Sequence, residues 1–463
     1  MCVRGIWIAI LACAALGAAC GGGSEQDPCE GWTCSGHGEC RVEGGEPVCV
    51  CEQGYRATSD GQGCILDVVD PCAGISCSGH GRCRVDEQDR AYCECEGGYF
   101  PSSDGLDCIE NSCTGDCGVM GCCGDHCCQL VPSNSELGEL PASGPSKNAS
   151  GSFDTVEDCQ AGSMLGDCSL HERTGAPDVC VCLVGDLQVA SLRVMGEALL
   201  AVLAATSITV NGSLDISAQG HESGPGTDLQ TEAKDSYYGG RGGTCGTRGG
   251  SSGVEVRCTP EIVPFVGGQS GQPGCGDREG GGGAGGLQLS AGSRISVSGS
   301  ILANGGGGQG GQSDSEGTCL GGGGGGSGGA VLLEAGEVDL GGAIWANGGG
   351  GGGGGNNNGA SGGDGQNASA SSSPAAGGAG RDGAGCAFFG NIEGGDGGQG
   401  AVGDVAGEDG QAYDSNQCPP EPPFVGGGGG GGGSGRVRIN TRTGCNCTGS
   451  ITPPPQEGQI RVR

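Results

Sequence analysis

Cysteines dominate the reactive side chains of this 463-residue chain, with 33 of them against only five histidines. A thiol can be oxidised to cystine, bind a soft metal or carry a lipid, and spacing and compartment decide among these. Between residues 29 and 108 one spacing is written twice: Cys29, Cys34, Cys40, Cys49, Cys51, Cys64, then Cys72, Cys77, Cys83, Cys93, Cys95, Cys108. The gaps are 4, 5, 8, 1 and 12 residues, then 4, 5, 9, 1 and 12. One loop slips by a residue while every other gap is held, the mark of a repeated disulfide framework. A module shorter than about 40 residues cannot bury enough core to fold unaided. Each bridge closing a short loop adds about 2–4 kcal/mol by restricting the unfolded chain. Structural zinc competes weakly, because neither copy offers paired C-x2-C knuckles. Spacing alone leaves fifteen connectivities open for six cysteines.

Three further groups of reactive residues follow. Residues 113–128 read CTGDCGVMGCCGDHCC, with His126 among six cysteines. A compact disulfide knot is the favoured reading and metal binding the alternative. Cys159, Cys168, Cys180 and Cys182 form a second cluster, and eight cysteines lie between 245 and 447. An apolar run from Ile6 to Ala19 ends at Cys20-Gly-Gly-Gly. It is short for a membrane span and right for a signal-peptide core. If Cys2 and Cys13 leave with that signal and Cys20 carries lipid, thirty cysteines remain in even blocks, as an oxidised exported chain requires.

The repeat resembles the EGF-like module. Each copy carries CSGHG-x-C (34–40 and 77–83) and ends in C-x-C-x-x-Gly-Tyr, at Gly54-Tyr55 and Gly98-Tyr99. The resemblance implies first-to-third, second-to-fourth and fifth-to-sixth pairing. That gives Cys29–Cys40, Cys34–Cys49 and Cys51–Cys64, then Cys72–Cys83, Cys77–Cys93 and Cys95–Cys108. Calcium-binding members carry acids before the first cysteine and Asp or Asn after the third. Here Asp27 and Asp70 precede prolines, and Arg41 and Arg84 follow the third cysteines, so calcium is not expected. Leu16-Gly-Ala-Ala-Cys20 resembles a bacterial lipobox, with Gly17 where an aliphatic residue is usual. It implies acylation of Cys20 and an outer-membrane lipid anchor; an ordinary cleaved signal with a secreted product is the alternative.

Composition sets the bounds. Only 34% of residues are hydrophobic, 3% are aromatic and 112 are glycine, so a large aliphatic core over the whole length is excluded. A net charge of −33 makes nucleic acid a poor partner. No Gly-Lys-Ser/Thr phosphate loop and no His-Glu-x-x-His metal helix is written, and neither nucleotide nor cofactor is expected. His37 and His80 hold the same repeat position, which suits a turn role better than catalysis.

The elements that must position these residues read as follows. The order is a signal peptide (1–19), a tether (20–28), EGF-like modules at 29–66 and 67–110, and a cysteine-rich knot (111–130). A linker rich in Ser, Pro, Gly and Asn (131–158), the small cysteine cluster (159–184) and a glycine-rich β-repeat domain (185–463) complete it. In the last, apolar and small residues alternate at period two, as strands do. The segments 208–220, 295–307, 338–350 and 445–453 repeat one another, each broken by a glycine at Gly212, Gly299, Gly342 or Gly449. Ile295, Val297 and Ile301 share their spacing with Val338, Leu340 and Ile344; Cys445 and Cys447 fall at the first two of these positions. One repeat cannot bury its own apolar face but stacked repeats can.

The expected class is therefore mostly β: small disulfide-rich EGF-like modules, then a β-helix- or solenoid-like all-β domain with long glycine-rich insertions. An antiparallel sandwich is the alternative. The insertions (217–285, 305–328 and 348–434) contain unbroken runs such as Gly348–Gly355. Free glycine runs are flexible linkers, but pinned ones can form polyproline-II helices packed side by side. That packing resembles the glycine-rich domains of some animal receptor ectodomains. Together with GRVRINTRTG (435–444), these features make the chain similar to myxobacterial-type surface lipoproteins with EGF-like repeats. The resemblance implies a non-enzymatic cell-surface protein with an adhesive or structural role and an extracellular protein or glycan partner. A β-helix polysaccharide-binding protein or carbohydrate-active enzyme is the alternative.

Overall fold

The computed structural model describes residues 28–29, 32–43, 46–52, 55–58, 63–66, 71–86, 90–96, 99–102, 104–110, 117–123, 126–230, 238–251, 256–275, 278–312, 320–356, 358–383, 393–412 and 425–463. Cys20 and the expected signal peptide (1–19) lie outside these residues. The described residues are mostly strand or extended chain, and none forms a helix long and apolar enough to cross a membrane. The chain divides into two units, residues 1–75 with 84–92 and residues 76–83 with 93–463.

In the first unit, β1 (Gly38–Glu43) and β2 (Glu46–Cys51) form an antiparallel hairpin, and β3 (Tyr55–Ala57) pairs with β4 (Cys64–Leu66). Cystines replace a core: Cys34, Cys49 and Cys64 are its buried centre, with Trp32 and Tyr55 packed on them. The second copy repeats this with β5 (Gly81–Val85), β6 (Ala91–Cys95), β7 (Tyr99–Pro101) and β8 (Cys108–Glu110). Next come β9 (Cys122–Cys123), β10 (His126–Cys127) and β11 (Leu130–Val131).

The large unit is organised by one twelve-stranded sheet. Its strands are β12 (Ser146–Asp154), β13 (Asp167–His171), β14 (Val179–Met195), β15 (Leu199–Asp215), β16 (Gly286–Val297) and β17 (Ser300–Leu302). They continue with β18 (Ala330–Leu340), β19 (Ala343–Trp345), β20 (Arg436–Thr441), β21 (Cys445–Cys447), β22 (Ser450–Thr452) and β23 (Gln456–Gln459). Strand β24 (Arg461–Val462) pairs with β11. Every pairing in the sheet is parallel except β13 with β14. Strands β14 and β15 are each 17 residues long, yet residues 196–198 alone join them. Straight parallel strands would need a long crossover. Here the sheet curls, so that Val179 lies opposite Leu199 and Arg193 opposite Asp215.

The sequence repeats are the register of this sheet. Ile208, Ile295, Val338 and Cys445 form one column, and Val210, Val297, Leu340 and Cys447 the next. Leu214, Ile301, Ile344 and Ile451 form a third. Their alternation turns one face into the main core, where Ile208, Val297 and Leu340 are fully buried. The mid-repeat glycines stack as well. A Cβ on Gly299 would lie 1.8 Å from the Gly212 carbonyl oxygen, and one on Gly342 would lie 1.9 Å from that of Gly299.

Two boundaries are corrected. Residues 131–158, expected as a flexible linker, are built into the large unit: Asn134 and Leu137 are buried, and β12 runs parallel to β14. The sheet thus begins at residue 146 and not 185. Only Ala149 and Phe153 of β12 point into the core, so the polar residues between them hide the strand in the sequence.

The insertions are ordered wherever they are described. Gly348, Gly351 and Gly354 donate to the carbonyls of Ala401, Gly398 and Gly395. Gly349, Gly352 and Gly355 donate to Gly326, Gly323 and Leu320, and Gly350 and Gly353 to Gln366 and Gly363. Three neighbours served at a three-residue period is the screw of a polyproline-II helix. The run 348–355 is buried along its length. Buried backbone needs partners, and here neighbouring backbones supply them.

The β11–β24 pair is flanked by an exposed ion pair. The hydrogen bond and charge of Arg463 hold the Glu139 carboxyl below its ordinary range. A depressed folded-state value means stability present above the unfolded-state value and lost as pH falls through the folded one. Acidification should therefore raise amide exchange at Gln129, which bonds Arg463 both ways, and added salt should mimic part of the effect. Exchange at Gln129 independent of both pH protonation and salt, after correction for the intrinsic rate, would exclude this coupling.

Candidate functional site

In the structure Cys29 is bonded to Cys40, Cys34 to Cys49, Cys51 to Cys64, Cys77 to Cys93 and Cys95 to Cys108. Cys72 and Cys83 are also disulfide-bonded. The CSGHG segment supplies one more contact in each copy. His37 stacks on Tyr55 with ring centroids 4.0 Å apart, and His80 on Tyr99 at 3.8 Å. The carbonyls of His37 and His80 accept the amides of Glu52 and Glu96. Sequence position pointed to a turn role for both histidines, and their aromatic partners emerge only in three dimensions. Stacked pairs of this kind contribute about 0.5–1.5 kcal/mol beyond area burial. The substitution His37→Ala should therefore lower the reductive unfolding midpoint of the first module modestly and leave its three bridges intact by mass mapping; scrambled bridges would assign His37 a larger role.

Around His126 the sulfurs are used in bonds: Cys117 to Cys127 and Cys123 to Cys128, with Cys122 also bonded. Two sulfur triads, Cys77/Cys93/Cys108 and Cys168/Cys180/Cys182, lie within 4.8 Å, a metal-like spacing. All six are cystine sulfurs, which lack the thiolate a metal needs. Cys159–Cys180 and Cys168–Cys182 instead fasten the start of β14 to the chain before it.

A cleft of ≈ 220 Å³ opens where the last glycine run enters β20. Thr247, Asp404, Ser434, Arg436 and Gln456 supply its polar groups, and Pro453–Pro455 form a wall. The Arg436 guanidinium donates to the Gly246 carbonyl at 3.1 Å and to the Cys258 carbonyl at 3.4 Å. Ser434 N–H donates to Thr247 Oγ1 at 2.8 Å. The lining contains neither histidine nor cysteine. Its chemistry is hydrogen bonding beside one carboxylate and one guanidinium, against a proline surface, which suits a hydroxyl-rich ligand.

The outer face of the sheet holds a polar cluster that motif reading did not find. Ser290, Glu334 and Asn440 share one register position on β16, β18 and β20. Glu334 is 1% exposed. Its carboxylate accepts from Ser133 N–H (3.1 Å), Ser290 Oγ (2.9 Å), Gln288 Nε2 (3.2 Å) and Asn440 Nδ2 (3.2 Å), and from the Ser133 hydroxyl. Asn134 Nδ2 donates to Gln288 Oε1 at 2.9 Å. A buried carboxylate is tolerated when its lone pairs are filled this way. The cluster fixes residues 133–134 onto the sheet. The signal available beforehand is Glu334 itself, the single charge within the run Ala330–Ala335.

No family model, no curated protein and no solved structure matches this chain.

Proposed function

We propose that this chain is a non-enzymatic, cell-surface display protein, held by lipid on Cys20, that carries two EGF-like modules and a rigid β body and meets an extracellular protein or glycan. The observation that carries this reading is the glycine bundle. Its interior is backbone packed on backbone, so rigidity is obtained there without a side-chain core. Cystines from Cys29–Cys40 near the start of the described chain to Cys445–Cys447 near its end support an oxidising compartment. We further infer that the curled sheet is a β-solenoid, each circuit laid in parallel on the last. The twenty-residue return from Val179 to Leu199 and the continuous three-column register support that inference.

The test is a binding screen of the oxidised full-length chain against glycan and matrix-protein arrays, together with lipid labelling. Retention on a defined ligand, with Cys20→Ser losing label and moving to the soluble fraction, is expected. Unchanged labelling in that variant would remove the anchor from the reading. A second reading, polysaccharide binding or processing, is favoured by the cleft beside Arg436 and Asp404. It requires that Arg436→Ala abolish glycan retention or turnover; the display reading requires that protein binding survive that change.

A further inference from the structure

We propose that Cys445–Cys447 is a thiol–disulfide exchange site, cycling between cystine and dithiol while the fold stays intact. The two residues are two apart in sequence, the shortest separation among the described disulfides. The other described bridges span 5 to 21 residues. A bridge restricts the unfolded chain less as its loop shortens, so this bond adds least to stability and its loss is tolerated best.

The register supplies the second argument. Alternation on β21 sends both side chains to the same face. There they stand over Val338 and Leu340, in columns that Ile208, Ile295, Val210 and Val297 continue. These columns hold apolar side chains, and a free thiol behaves as a small apolar group that fits among them. The dithiol therefore fits the same place as the cystine. Access is the third argument. Strand β21 has β18 on one side and no described strand on the other, and both cysteines are only partly buried. The Cys245–Cys258 bridge, by contrast, is fully buried at both ends.

The chemistry balances with external thiols as the partner class. A thiolate attacks one sulfur of the pair, the internal S–S bond breaks, and a mixed disulfide forms while the second cysteine leaves as thiolate. A second external thiol then attacks the mixed disulfide. Two external thiols are oxidised to one disulfide, and Cys445 and Cys447 are reduced to two thiols.

The experiment equilibrates the full-length oxidised chain in glutathione buffers, followed by differential alkylation and peptide mass mapping. We expect Cys445 and Cys447 to be labelled together at a poise at least tenfold less reducing than Cys117–Cys127 needs, with unchanged circular dichroism. Co-reduction with Cys117–Cys127, or loss of structure on labelling, would overturn the proposal. Cys447→Ser should accumulate glutathione on Cys445, and its absence there counts against exchange. The double variant Cys445→Val/Cys447→Val separates exchange from structure: it should melt like the wild type, and a failure to fold would make the bond structural.

Discussion

Replacing Gly351 by valine should unfold the glycine bundle at a markedly lower denaturant concentration than the wild type requires. A Cβ there would lie 2.1 Å from the Gly429 carbonyl oxygen and 2.8 Å from that of Gly430. Both obstacles are backbone in a neighbouring run that is itself bonded on other sides, so neither can rotate away. Overpacking a core costs about 1–3 kcal/mol even when side chains can adjust. With rigid backbone as the neighbour, about 3 kcal/mol or more is expected. Gly341 is the control. Nothing lies within 4 Å of its added Cβ, so Gly341→Ala should fall within about 0.5 kcal/mol of neutral. Amides in 348–355 and 426–433 should also be protected from exchange, because each described one donates to a buried carbonyl or lies within the bundle. Equal effects at Gly351 and Gly341, or exchange at coil rates through both runs, would show that the bundle does not form in solution.

Glu334→Leu carries the second large effect. The substitution leaves five donors, two on Ser133 and one each on Gln288, Ser290 and Asn440, without their shared acceptor. A buried donor left unpaired costs about 1–3 kcal/mol, and not every one of these can turn to another partner. A loss of about 3–5 kcal/mol is expected, with faster exchange first at Ser133 and Asn134. Adding Ser290→Ala to the variant should cost less than Ser290→Ala does in the wild type, since the two groups are coupled. Strict additivity in that cycle would mean that Glu334 does not organise the cluster. The two substitutions probe different materials, packed backbone in one case and a filled carboxylate in the other. Their effects should add to each other, because they share no partner.

Legibility in the sequence followed the range of the interaction. The cysteine spacings carry the modules because loop closure is local, and the pairs lie 11 to 16 residues apart. The repeats carry the sheet register because stacking demands like residues at like positions, so Ile295 and Val338 align in the sequence as they do in the sheet. Strand β12 was not legible, since two inward side chains in nine residues make no period. The Glu334 cluster was not legible either, because Ser133 is 201 residues from Glu334.

The chain's own sequence therefore determined its mostly β class, the repeated spacing of its cysteines, the columns of its sheet and the glycine at each break. Those follow from periodicity, loop closure and the missing Cβ, which are properties of neighbouring residues. Tertiary structure alone decided which three backbones each glycine run meets, that residues 131–158 are built into the large unit with β12 in its sheet, and where a buried carboxylate finds five donors. A run of identical glycines carries no side-chain address, and hydrogen bonds between distant segments leave no periodic trace.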